Sequence, residues 1–221
     1  MILEYKDAGL TIDQFIKIIK QKYPDNKIAY AGRLDPMARG LVPILFDEEC
    51  YNMEQYTTRD KVYRVKVIVG VQTDSDDPLG IIQNTQNDLH SMNNIEILIV
   101  RPQLSFYQSY HYFSTKQINS RRKNKDTISG HIVSLYKSSI ISKGTISSNE
   151  WIDTIDKVDK NKNFRQKEII EQWSNFEKKI FDYIELEIHV SSGFFVRQFI
   201  RDTSDVIGIP LMCYDIHRTF I

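Results

Sequence analysis

Asp35 lies in residues 31–41, AGRLDPMARGL, and is the group whose type and setting point most directly to covalent chemistry. A residue before proline is steered out of helical geometry toward an extended one. Leu34 and Met37 can anchor the peptide on either side, and Gly32 and Gly40 let the chain turn sharply. A carboxylate fixed on such a turn could be held in near-attack geometry, as a nucleophile requires. By itself the peptide also reads as an ordinary Asp-Pro turn. Arg197 and Arg201 share one face of an expected helix at spacing i, i+4 and could face carboxylates. Taken singly, Arg197 also reads as a surface helix arginine and Tyr63 as a core aromatic. Asp74, Asp76 and Asp77 crowd a Gly/Pro-containing loop, TDSDDPLG, where carboxylates could bind a hard cation, although the spacing is not that of an EF-hand.

Other chemistries find little support. Cys50 and Cys213 are far apart and form neither a disulfide framework nor a CxxC metal pair, which suits a reducing, cytoplasmic-type compartment. The five histidines show no zinc-ligand spacing, so no metal is expected. A net charge of zero argues against binding nucleic acid over the whole surface, so such binding would rest on local patches. One candidate is Arg121, Arg122 and Lys123, with Lys116 and Lys125 nearby. The other is KVDKNKNFRQK, residues 157–167. Either also reads as a solvated loop. There is no apolar run of membrane-spanning length, and the first ten residues do not resemble a secretory signal.

The elements that must position these residues follow from periodicity. Thr11 and Gln14 form a capping box ahead of Ile12, Phe15, Ile16 and Ile19 at helical spacing, and that helix should end near Tyr23-Pro24. Residues 27–46 read as a loop leading into a short strand. Tyr63, Val65, Val67 and Val69 alternate with Arg64, Lys66 and Ile68, a half-buried strand. Residues 95–100 read as a further strand or a buried helical turn. Ile184, Leu186, Ile188 and Val190 alternate inward. After Gly193 an amphipathic helix follows, stopped by Gly208 and Pro210. Residues 156–168, rich in lysine and asparagine, read as a mobile insertion. Strands interleaved with a few helices predict a mixed sheet with helices packed against it, in a single domain over residues 1–221.

Three blocks together resemble a known family. KIAYAGRLDPMARGLVPI is similar to the G-H-x-G-x-L-D-P-x-A-x-G-x-L-P signature of the TruB family of tRNA pseudouridine synthases. KVYRVKVIVGVQTDSDDPLG resembles that family's K-x-Y-x-x-x-x-x-x-G-x-x-T-D-T-x-D-x-x-G, and VSSGFFVRQFIRDTSDVIG its C-S-x-G-x-Y-I-R block. Weaker echoes are YKDAGLTIDQF and QLSFYQSY. The resemblance implies an α+β fold with a mixed, mainly antiparallel central sheet flanked by helices and loops. It also implies isomerisation of a uridine in structured RNA, the T-loop of tRNA, by an enzyme that needs no cofactor or metal and acts as a cytoplasmic monomer. By the same resemblance Asp35 is the catalytic aspartate, Tyr63 stacks on the flipped uracil, Arg197 pairs with Asp35, and Ile216 lines the uracil pocket. The aspartate loop then becomes a structural turn.

The pattern is departed from in places. Tyr30 stands where the family has a histidine near the RNA, and Arg33 gives GRLD, closer to the RsuA and RluA synthases; both positions are expected to contact substrate. Phe195 replaces a tyrosine. No PUA domain is recognisable after His217-Arg218. These departures keep two alternatives open, an RNA-binding or RNA-folding protein without turnover and a synthase for another RNA.

Overall fold

Alternation builds the sheet. In Lys61–Val69 (β4) the side chains of Tyr63, Val65, Val67 and Val69 are buried on one face. Ile184, Leu186, Ile188 and Val190 do the same in Ile180–Val190 (β9), which pairs antiparallel with β4. The computed structural model describes residues 1–86, 96, 100, 102–114, 129–177 and 179–221. The other strands of the main sheet are Ile2–Lys6 (β1), Ile28–Tyr30 (β2), Ala38–Phe46 (β3), Leu104–Ser109 (β7), Gly130–Ser147 (β8) and Leu211–Phe220 (β10). They run in the order β1-β3-β10-β4-β9-β8-β7, with β2 beside β3. Pairing is antiparallel except between β10 and β3, so the sheet is mixed and mainly antiparallel. A small hairpin, Val71–Thr73 (β5) with Ile82–Thr85 (β6), carries the aspartate loop between its strands.

Among the described residues five α-helices accompany the strands: Ile12–Lys22 (α1), Met53–Thr57 (α2), Asn149–Lys157 (α3), Gln166–Asn175 (α4) and Val196–Ile207 (α5). The capping box on α1 is formed by Thr11 and Gln14, and Tyr23 closes the helix as expected. At the end of α5, Gly208 takes φ 68°, a left-handed stop that suits glycine. Helices α1 and α5 cover one face of the sheet, where Phe15, Ile19, Phe199 and Ile200 join the inward residues of β4 and β9. Helices α3 and α4 build a second core with Trp151, Ile155, Ile169 and Trp173.

Four expectations change. Residues 27–46 form two paired strands around the Asp35 turn, and β3 is nine residues long rather than short. Gly40 does not make a turn; it sits within β3 at φ 120°, between Lys6 and Arg218. Ile68, assigned to the polar face of β4, is fully buried because the second core covers that face. Residues 156–168 are anchored rather than a mobile insertion: Val158 is buried, Phe164 packs on the second core, and Arg165 pairs with Asp74. Most of residues 95–100 lie outside the described residues.

Candidate active site

The Asp35 turn links β2 to β3 and is stitched from several directions. Ala38 N donates to the Asp35 carbonyl at 3.0 Å, and Gly9 N donates to the Pro36 carbonyl at 2.9 Å. Beneath it lies Lys6, the last residue of β1, fully buried. Its Nζ donates to the carbonyls of Ala38 at 2.6 Å, Asp35 at 3.1 Å and Asp7 at 3.1 Å. Burial pushes the Lys6 ammonium down to about 8, against the pull of Asp35 and Asp7. On the other side Arg218, also buried, donates Nη2 to the Gly32 carbonyl at 2.8 Å and Nε to that of Leu41 at 2.7 Å. The turn is therefore held through its backbone, which leaves the carboxylate to point outward. Its side chain is 40% exposed.

Arg197, in the first turn of α5, supplies the counter-charge. Its Nη2 lies 2.7 Å from Asp35 Oδ2, its Nη1 lies 3.2 Å from Asp77 Oδ2, and Nη1 also donates to the Ser75 carbonyl at 2.8 Å. A planar guanidinium can serve these partners at once; a lysine cannot. Burial disfavours charge on Asp35, but Arg197, with Lys6 behind it, outweighs burial and holds the carboxyl below its ordinary value. Arg197 is raised the same way, burial being overcome by Asp35 and Asp77. Arg197 is thus buried, not a surface residue.

The aspartate loop backs this pair. Asp77 Oδ1 accepts from Ser75 Oγ at 2.7 Å and from Leu79 N at 3.0 Å. Asp76 accepts from Arg201 Nε at 2.8 Å and contacts His111 Nε2 at 2.9 Å. Asp74 takes both ends of Arg165, at 2.8 and 3.1 Å. Each carboxylate has a guanidinium, and no cluster of metal-binding type is found among the described residues. Burial raises Asp76 and Asp77 to about 6 against their arginine partners, and lowers His111 to about 3, so the histidine is neutral at neutral pH.

Asp35 and Arg197 open onto a cleft of about 670 Å³ whose lining also includes Tyr63, Ile216 and Arg33. That volume falls within the range of small-ligand sites, so a single nucleotide is a suitable occupant. Ile216 is placed by β10, which runs beside Ala38 of β3 and Val65 of β4. Tyr63 belongs to the first core and to the cleft wall together. One arrangement therefore gathers an ionised carboxylate, its arginine, an aromatic ring and an apolar side chain.

Residues 18–196 match the model of the TruB family pseudouridylate synthase N-terminal domain. The chain belongs to the TruB family. Among TruB relatives, the tRNA pseudouridine synthase B of Blochmanniella floridana is 25% identical over 234 residues, covering 100% of this chain and 75% of the relative. That of Mycoplasmoides gallisepticum is 24% identical over 212 residues, covering 92% and 82%. The fold is shared with a Cbf5-Nop10-Gar1 complex structure at TM-score 0.60 and 12% identity, over 97% of this chain. It is shared with the structure of an H/ACA RNP bound to a substrate RNA containing 2′-deoxyuridine at TM-score 0.56 and 11% identity. This TruB chain spans 46% and 45% of those two chains.

The other expected residues fall in different places. Tyr30 lies on β2, half-buried against the first core and outside the cleft lining, because its strand pairs with Ile44 of β3. Arg121, Arg122 and Lys123 lie outside the described residues. Phe195 presents its backbone to Gln108, which accepts from Phe195 N at 2.8 Å and donates to its carbonyl at 3.0 Å. Sequence reading passed over Lys6, Lys61, Gln108 and Arg218. Lys61, Gln108 and Arg218 share the inward parity of Tyr63, Phe106 and Ile216 in their strands, and a polar residue at such a position was the available signal; Lys6 had none.

Proposed function

We propose that this TruB chain isomerises uridine to pseudouridine in structured RNA, the T-loop uridine of tRNA, with Asp35 as nucleophile. The observation that carries this reading is the Arg197–Asp35 pair at 2.7 Å, opening onto a cleft walled by Tyr63 and Ile216. The target base must leave its stack, at a cost of about a few kcal/mol. Stacking on Tyr63 offsets that cost, since base–aromatic stacking contributes roughly 1–3 kcal/mol. Asp35 then acts while the glycosidic bond breaks, the uracil turns, its C5 bonds to the sugar, and the C5 proton leaves. Bonds are rearranged within one nucleotide, so electrons balance without an external donor.

The test is release of tritium from a tRNA transcript labelled at C5 of uridine. Wild-type protein should release tritium and Asp35→Asn should release none above background. Equal release by both would remove Asp35 from the chemistry, and no release by the wild type from any RNA would leave a binding protein.

A further inference from the structure

We propose that the segment joining α3 to α4, residues 158–165, is an RNA-contacting wall of the cleft, in which Lys162 binds a backbone phosphate next to the target nucleotide. The inference rests on the RNA reading above and deepens it.

Placement comes first. Lys162 and Phe164 line the same cleft as Asp35, together with Arg33 and Thr11. The wall is also built before any substrate arrives. Val158 is buried, and its carbonyl accepts from Gln166 Nε2 at 2.8 Å. Phe164 N donates to the Lys162 carbonyl at 2.9 Å, and the Phe164 ring packs on the second core. Arg165, at φ 59°, fixes the exit of the segment by its fork on Asp74. A segment fixed at both ends and the middle loses little freedom on binding, which favours contact with a ligand.

Charge gives the kind of ligand. The chain as a whole is neutral, yet the cleft lining contains Arg33, Lys61, Lys162, Arg197 and Arg218 against Asp35 and Glu54. Arg197 is engaged by Asp35 and Asp77, while Arg218 and Lys61 donate to backbone carbonyls. Lys162 differs in its setting. Its partner is Asp13, and the two side chains are 43% and 53% exposed. An exposed pair of this kind contributes little and exchanges readily. The Asp13 carboxyl is held low by the Lys162 hydrogen bond first and also by the charges of Arg33 and Lys17. A phosphate displacing Asp13 would meet a lysine whose backbone is already fixed by hydrogen bonds to Phe164 and Asp159. Phe164, beside it, bounds the space on the apolar side.

Affinity of a tRNA transcript measured across a range of salt concentrations tests this, with tritium release followed in parallel. Lys162→Ala should weaken binding about 3–10-fold at low salt and reduce the slope of log affinity against log salt by about 0.7–0.9, the effect of one phosphate contact. Lys162→Arg should restore both. Asp13→Asn should tighten binding, because it removes the competing carboxylate. Wild-type affinity and slope in Lys162→Ala would overturn the proposal, and so would Asp13→Asn weakening binding as Lys162→Ala does, since the lysine would then act through its pair. Turnover by the wild type with an unchanged slope in Lys162→Ala removes the wall alone. A changed slope without turnover removes the isomerase reading alone.

Discussion

Arg197 is the side chain on which the carboxylates converge, and its second partner sets how the site should respond to pH. Asp35 lies below the ordinary carboxylate value, because Arg197 and Lys6 outweigh burial. Asp77 lies above it, at about 6, because burial outweighs Arg197 and Ser75. On lowering the pH, Asp77 therefore gains its proton first while Asp35 stays ionised, and Arg197 loses one of the two charges that orient it. Asp76 sits in the same network at about 6, so the apparent value belongs to the cluster. Turnover should fall as pH drops through about 6, and Asp77→Asn should be slow with that limb reduced to the part that Asp76 contributes. A single-turnover tritium-release profile checks this. An acid limb near the Asp35 value instead would place control on the nucleophile itself. Asp35 and Arg197 were singled out by the family resemblance of the blocks that contain them, since alone they read equally as an ordinary Asp-Pro turn and a surface helix arginine. The depth of Arg197 was not legible, since its burial depends on a loop more than 100 residues away in sequence, as its bond to Ser75 at a separation of 122 shows.

Among the elements, β3 does more than the sequence suggests. Reading 27–46 as a loop followed from its glycines and prolines, but pairing with β1, β2 and β10 overrides those local preferences. Gly40 is the point where this matters. A Cβ there would stand 2.2 Å from the Arg218 carbonyl oxygen, which is backbone, and φ is 120°. The close approach lets β10 run parallel to β3, and it is this pairing that sets Ile216 beside the Asp35 turn. Gly40→Ala should cost about 2–5 kcal/mol, combining backbone strain with overpacking. Urea unfolding at neutral pH checks the magnitude. A loss below about 1 kcal/mol would mean that the two strands are free to separate. Lys6 could not be recognised for a related reason. Its place at the end of β1 looks like an ordinary polar strand terminus until the Asp35 turn folds over it.

Across the whole molecule, the cleft is held from both faces of the sheet. The first core fixes Tyr63, Leu34 and the start of α5, and the second fixes the aspartate loop. Sequence periodicity finds the first core, whose strands alternate cleanly. It does not reveal the second, because α3 and α4 are amphipathic over short lengths and flank the lysine- and asparagine-rich stretch. Trp173 joins this core to the chemistry: fully buried, it packs edge-on against Trp151 and donates Nε1 to the Pro78 carbonyl at 3.2 Å. Pro78 follows Asp77 directly, so α4 grips the loop that anchors Arg197. Trp173→Ala should lower stability by about 3–5 kcal/mol, the usual cost of removing a buried tryptophan side chain. Trp173→Phe keeps most of the packing but leaves the Pro78 carbonyl without that donor, at a cost of about 1–3 kcal/mol. If α4 positions the loop, Trp173→Phe should also slow tritium release several-fold at saturating RNA, under conditions where urea unfolding shows it fully folded. A folded Trp173→Phe protein with the wild-type rate would show that the second core stabilises the chain without steering its arginine.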